Sequence, residues 1–357
     1  MSMLWFTLIF VFFSAAMARY MSVHPVPVPA SVRPSRFYAG LAAVCLATVA
    51  GLRNNIGDTF LYMHSYRVDD FSWEAVLQKR DIGFNVLQML LKLLSDDPQI
   101  MIATTAVVTN VIIVAVFYHY ARLFEISMYV YIASGAFIVS MNGIRQYLTA
   151  AIVFGATKAL VDGKWKLYFA VVLFASLFHL SAIILLPIYF IVRRRAWTKT
   201  TLLLLALGIG IVVGFNAFSS ALFTVIGGTQ YGSYETFDGE GANIIRVAVY
   251  MIPLLIAFMG REKLRELFPG SDTIVNMSVI GAVLMIISTQ NWIFARLGIY
   301  FSLYQLLLLG WIVKLFRDKD QRIVYLALIT FYLVYFFYEN VIVLDMWYGS
   351  DYIRWPF

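Results

Sequence analysis

The sequence predicts an all-α, polytopic integral membrane protein, and three observations carry that prediction. Of its 357 residues, 61% are hydrophobic and only 13% are charged. The mean hydropathy is +0.79, whereas a soluble domain carries about 25% charge and about 45–50% apolar residues. Apolar runs long enough for helices follow one another along the whole chain, separated by short loops in which Lys and Arg collect. An ordinary soluble enzyme, a disordered chain and a nucleic-acid binder are excluded on these grounds. Residues 1–357 are expected to form a single transmembrane domain, so its chemistry belongs to helices and short loops.

The apolar runs are 3–19, 37–52, 99–118, 126–141, 145–161, 166–192, 200–222, 244–260, 274–289, 294–315 and 323–344, with a weaker amphipathic run over 82–95. The first run ends in small residues but lacks a basic segment before it, which favours a spanning helix over a cleaved signal. Basic residues mark alternate loops: Arg33 and Arg36, Arg122, Lys164 and Lys166, Arg193–Arg195, Arg261 with Lys263 and Arg265, and Arg317 with Lys319 and Arg322. The positive-inside rule assigns these loops to the cytoplasm and accounts for the net charge of +7 without an anionic partner. Cys45 is the single cysteine, so internal disulfides and CxxC metal sites are excluded.

The charge assignment closes only if 82–95 does not cross. Its Ile82-Gly83-Phe84-Asn85 start and internal Lys92 suit a re-entrant or surface-lying helix. Run 166–192 has Lys166 at one end and Arg193 at the other, both of which belong on the cytoplasmic side. Two short arms meeting near His179 satisfy that placement; one long tilted helix of about 40 Å is the alternative. The outside then receives loops 53–81 and 223–243, the Asn142-Gly143 turn, the tip near His179 and the Gln290-Asn291-Trp292 turn. About twelve crossings result. Neither an internal repeat nor matched helix breaks relate the halves, which argues against a transporter built from repeats.

Ionisable side chains within spans cost at least about 2.5–3.5 kcal/mol and are functional candidates by default. Arg53, Asp58, Arg145, His179 and Arg296 all fall on the outer side of the charge-derived topology. Each has a structural alternative: arginines snorkel to headgroups, and a histidine hydrogen-bonds a neighbouring helix. Their coincidence on one side points to a site for an anion. Arginine offers a planar fork that matches phosphate oxygens, and His179 or Asp58 can serve as the base for an attacking alcohol. Outer aromatics (Trp73, Tyr231, Tyr234, Trp292, Trp347, Tyr348, Trp355) fit either sugar stacking or an interfacial belt. No Walker loop and no metal-ligand spacing is present. Asp96-Asp97 before Pro98 reads as a helix cap. The Gly-rich stretch within 223–243 reads as an external lid.

The chain resembles the EpsG-like branch of the Wzy-type exopolysaccharide and O-antigen polymerases. The resemblance rests on Gly51-Leu52-Arg53 with Ile56-Gly57-Asp58 and Tyr62, Arg80-Asp81-Ile82-Gly83-Phe84, Met141-Asn142-Gly143-Ile144-Arg145-Gln146, Phe178-His179-Leu180-Ser181, and Arg296 with Tyr300-Phe301. In one place it departs: Asp81 stands where the family usually has Glu. The resemblance implies a Wzy-like, GT-C-like helical bundle in the bacterial cytoplasmic membrane, with an outward-facing cavity beneath the external loops. It implies metal-independent transfer of a growing glycan from its polyprenyl pyrophosphate carrier onto a lipid-linked repeat unit, without a cofactor. Arg53, Arg145 and Arg296 would hold pyrophosphate, His179 or Asp58 would take the proton, and Gln146, Asp81 and Tyr62 would position sugars. A flippase and a chain-length regulator of the same pathway are the implied partners. A lipid-linked oligosaccharide flippase is the alternative function.

Overall fold

The computed structural model describes residues 1–22, 33–226 and 241–353, and among these every regular element is a helix. The centre of the expected lid, 227–240, with Tyr231 and Tyr234, and also Trp355, lie outside the described residues. The chain divides into two compact units, Met1–Tyr189 with Leu309–Phe357, and Phe190–Leu308.

The first unit begins with α1 (Ser2–Tyr20) and α2 (Arg36–Gly51). On α1, Leu4, Leu8, Val11, Ala15 and Ala18 recur every three or four residues and are buried, the stripe expected of a helix with one packed face. Small residues on α2 let helices approach closely, as in membrane packing generally. A Cβ on Gly51 would come 3.3 Å from the Ala103 backbone. The 53–81 segment, expected as a loop, folds into α3 (Thr59–Val68) and α4 (Trp73–Gln78). Then come α5 (Ile82–Lys92), α6 (Gln99–Tyr120), α7 (Phe124–Ala133), α8 (Ala136–Asn142), α9 (Ile144–Gly155) and α10 (Thr157–Asp162). Every residue of α7 is buried, so this helix is the centre of the unit. Asp97 does cap the start of α6, accepting from the Gln99 N–H at 3.0 Å.

Run 166–192 is not one helix. It consists of α11 (Trp165–Ser176), a break, a 3-10 turn over Leu180–Ile184, and α12 (Leu185–Val192). Tyr168 and Phe169 at the start of α11 meet Tyr189 near the end of α12, with ring centroids 5.4 and 5.5 Å apart. The arms therefore fold back on each other around His179, as the charge placement predicted. With 12 residues, α11 reaches about 18 Å, well short of a hydrocarbon core of about 30 Å. The 11 residues of α5 likewise fall short of spanning.

In the second unit lie α13 (Lys199–Val213), α14 (Phe215–Ile226), α15 (Ile244–Met259), α16 (Arg261–Leu267) and α17 (Ser271–Ile287). Its buried centre is α17, against which α13 and α15 pack. A Cβ on Gly208 of α13 would sit 2.9 Å from Val283, so the close approach requires glycine there. α18 (Ile293–Ile312) carries the chain back to the first unit, which α19 (Asp318–Phe337) and a π-helical turn, Tyr338–Val343, complete.

Among the described residues, four helices are long and apolar enough to cross a bilayer, or up to seven if each bent pair is one span. Several apolar helices thus fit a multi-pass membrane protein. Runs 126–141 and 200–222, expected as uninterrupted spans, are bent by 56° and 94°. The first bend sits at Gly135, whose φ of +84° only glycine adopts readily. Large apolar side chains such as Leu203 (69% exposed) and Ile323 (69%) point outward, as they must where the surroundings are lipid rather than water.

Candidate functional site

The break at the tip of the α11–α12 hairpin creates the site. A broken helix leaves backbone donors and acceptors without partners, which is costly away from water. Here the start of α5 supplies them. The Gly83 N–H, a free donor in the first turn of α5, donates to the Leu177 carbonyl at 2.7 Å. The Asp81 carboxylate accepts from the Leu180 N–H at 3.3 Å. Gly83 is required by contact: a Cβ there would lie 2.8 Å from Leu177 Cβ and 3.0 Å from its backbone. Asp81 occupies the N-cap position of α5 yet makes no capping bond with its side chain. Its carboxylate turns instead toward the hairpin.

Two further groups meet that carboxylate. Arg145 Nη1 donates to Asp81 Oδ2 at 2.9 Å, and His179 Nδ1 lies 3.4 Å from the same oxygen. Asp81 is 2% exposed. Burial pushes its carboxyl up, but the hydrogen bond and charge of His179 and the charge of Arg145 outweigh this and hold it below the ordinary carboxylate range. Arg145 stands in the first turn of α9, where the helix dipole disfavours a cation; the Asp81 carboxylate offsets that. The guanidinium also lies over the rings of Tyr62 and Phe84, at 5.6 and 5.9 Å, and its Nε is 3.4 Å from the Tyr62 hydroxyl. The Arg145 side chain remains 38% exposed and that of His179 11% exposed. The buried carboxylate therefore orients a largely buried imidazole and a guanidinium that stays partly open.

The other predicted residues distribute as follows. The Asp58 N–H donates to Asn142 Oδ1 at 2.9 Å, which ties the α2–α3 loop to the residues just before Arg145. Gly57 makes that contact with φ +53°, and a Cβ on it would come 2.2 Å from Asn142 Oδ1. Gln146 follows Arg145 on α9 and is buried. Arg53 is 1% exposed. Its guanidinium donates to the Ala50 carbonyl, to the Met141 carbonyl at 2.5 Å and to Thr59 Oγ1 at 3.1 Å. That arrangement satisfies backbone groups at the ends of α2 and α8. Arg296 belongs to the second unit and lies over the Trp292 ring at 4.6 Å.

Sequence reasoning did not single out Asn142 as a lock or Phe84 as a cation–π partner. The Asn-Gly pair and the glycine-containing turn before Asp58 were the available signals. The acidic pair Asp69-Asp70 is engaged locally, Asp69 by Lys79 at 2.7 Å and Asp70 by the Ser72 N–H at 2.8 Å.

No curated protein and no solved structure matches the chain. The EpsG family does match, over residues 36–350. That stretch contains the α5 start, the Arg145 turn, the His179 hairpin and Arg296, and on it the chain belongs to the EpsG family.

Proposed function

We propose that this chain is a polysaccharide polymerase of the cytoplasmic membrane that works at its outer face. It transfers a growing glycan from a polyprenyl pyrophosphate carrier onto a lipid-linked repeat unit. The EpsG family suggests a polymerase-type membrane protein, and the observation that carries the mechanism is the Asp81–His179–Arg145 constellation at a helix break. The acceptor hydroxyl oxygen forms a bond to the anomeric carbon of the donor. The bond from that carbon to the pyrophosphate oxygen breaks and its electron pair leaves with the pyrophosphate. His179 takes the hydroxyl proton on Nε2, the ring nitrogen turned away from Asp81. Arg145 neutralises charge on the departing pyrophosphate, an interaction that strengthens as the transition state develops. Asp81 touches neither sugar nor phosphate; it is a positioning residue for both. Tyr62 borders the exposed guanidinium and Asp58 stands beside it, so these two line the approach of the sugars, whereas Gln146 is buried. Arg53 holds the turn from which Arg145 springs.

The test is chain growth by purified protein in a lipid bilayer supplied with synthetic polyprenyl-pyrophosphate repeat units. Wild type should give a ladder, and Arg145→Ala and His179→Ala should elongate at least roughly 100-fold more slowly at equal folded protein. Normal chain length from Arg145→Ala would sink the assignment. Transbilayer movement of the substrate without elongation would favour a flippase.

A further inference from the structure

Beyond the hairpin site, the segment after α19 builds a second feature on the same unit. Residues 345–353 are not helical and lie along the α2–α3 loop as a strap. The Asn54 N–H donates to the Gly349 carbonyl at 3.0 Å, and the Gly349 N–H donates back to Asn55 Oδ1 at 2.5 Å. Asn55 Nδ2 donates to the Trp347 carbonyl at 3.1 Å and Asn54 Nδ2 to Asp351 Oδ1 at 2.8 Å. Tyr348 turns inward, its hydroxyl donating to the Val49 carbonyl at 2.9 Å. The Tyr352 hydroxyl donates to Asp97 Oδ2 at 2.9 Å.

Anchored in this way, the strap presents two aromatic rings outward: Trp347 is 64% exposed and Tyr352 55% exposed. The indole sits against the Gly349 backbone, for a Cβ there would be 3.0 Å from its Cζ3. It is thus a ring held in place by non-helical backbone, not a side chain on a lipid-facing helix. Irregular backbone flanked by Asp345, Ser350 and Asp351 belongs in water or among headgroups, not in hydrocarbon. Exposed aromatic faces bordered by amides and carboxylates match the chemistry of a sugar, which offers C–H faces to a ring and hydroxyls to polar groups. The loop under the strap is continuous with the site: it carries Asp58, whose N–H holds Asn142 ahead of Arg145.

We infer that Trp347 and Tyr352, with Asn54 and Asp351 at their rim, form a glycan-binding subsite that holds sugars beyond the reacting one. This rests on the polymerase reading, which also selects the probe, but the binding and elongation arms of the test fail separately. The probe is a set of oligosaccharides released by mild acid hydrolysis from the producing cell's own exopolysaccharide, free of lipid. Binding to the full-length protein in nanodiscs is followed by saturation-transfer NMR. Trp347→Ala should weaken binding roughly five- to tenfold, as expected for one stacked ring, and Trp347→Phe should recover most of it. In the elongation assay, Trp347→Ala should raise KM for the lipid-linked substrate more than it lowers kcat. Unchanged oligosaccharide affinity in Trp347→Ala overturns the subsite. So does an effect confined to bilayer insertion, which would make the rings an interfacial anchor. Ring-dependent binding by a wild type that never elongates would leave the subsite standing and remove the polymerase reading.

Discussion

Replacing Asp81 with Asn separates orientation from folding at the site. The amide has the shape of the carboxylate and keeps an oxygen for the Leu180 N–H, 3.3 Å away, but it loses the charge that faces Arg145 and His179. A hydrogen bond to a charged group contributes about 1.5–3 kcal/mol when buried. The Arg145 side chain is 38% exposed, so solvent screening brings its share to about 1 kcal/mol. The His179 contact is loose at 3.4 Å and adds less. The expected stability loss is therefore about 1–2 kcal/mol, a shift of a few degrees in the unfolding midpoint. Turnover should suffer far more, because a positioned general base contributes about 10²–10⁴ in rate and Asp81→Asn frees the imidazole to rotate. We expect at least a roughly 100-fold fall in chain growth. The assay is elongation of synthetic repeat units in nanodiscs, paired with scanning fluorimetry, on Asp81→Asn, His179→Ala and the double variant. If Asp81 acts through His179, adding Asp81→Asn to His179→Ala costs only the remaining effect on Arg145, about threefold or less. Two full, multiplying losses would refute the reasoning.

Three other outcomes follow from the same geometry. Gly57→Ala should destabilise by about 1–3 kcal/mol, since it forces a side chain into left-handed backbone and onto Asn142; adding Asn142→Ala should recover part of that loss in the unfolding midpoint. Arg53→Met should lower folded yield by removing donors from the buried Ala50 and Met141 carbonyls, at about 1–3 kcal/mol for each acceptor left unsatisfied; normal yield with loss of turnover alone would show that Arg53 serves the substrate directly. Because the folded Asp81 carboxyl titrates below its ordinary 3.8, its ion pair contributes fully above that value and is lost only as pH falls through the depressed one. The midpoint advantage of wild type over Asp81→Asn should not shrink between about pH 7 and about pH 5 and should close only in stronger acid; narrowing between those two values would contradict the pairing.

The sequence by itself determined that the chain is helical and bilayer-embedded, because apolar length and basic loops are local properties of a segment. It also determined which side chains are too costly to be incidental, and it placed a break near His179 from the cations at both ends of one run. The bend at Gly135 was not legible, since a glycine in an apolar run does not announce its dihedral angles. Partnership was beyond reach as well. Asp81 lies 64 positions from Arg145 and 98 from His179, and only the docking of α5 onto the hairpin tip brings the three together. That docking turns the Asp81 carboxylate toward Arg145, His179 and the Leu180 N–H. Packing likewise decided Arg53: a guanidinium legible as a phosphate ligand is spent on carbonyls once α2 and α8 end beside it. An isolated helix end exposes its orphaned polar groups to whatever is near, and only the tertiary structure settles which neighbour satisfies them.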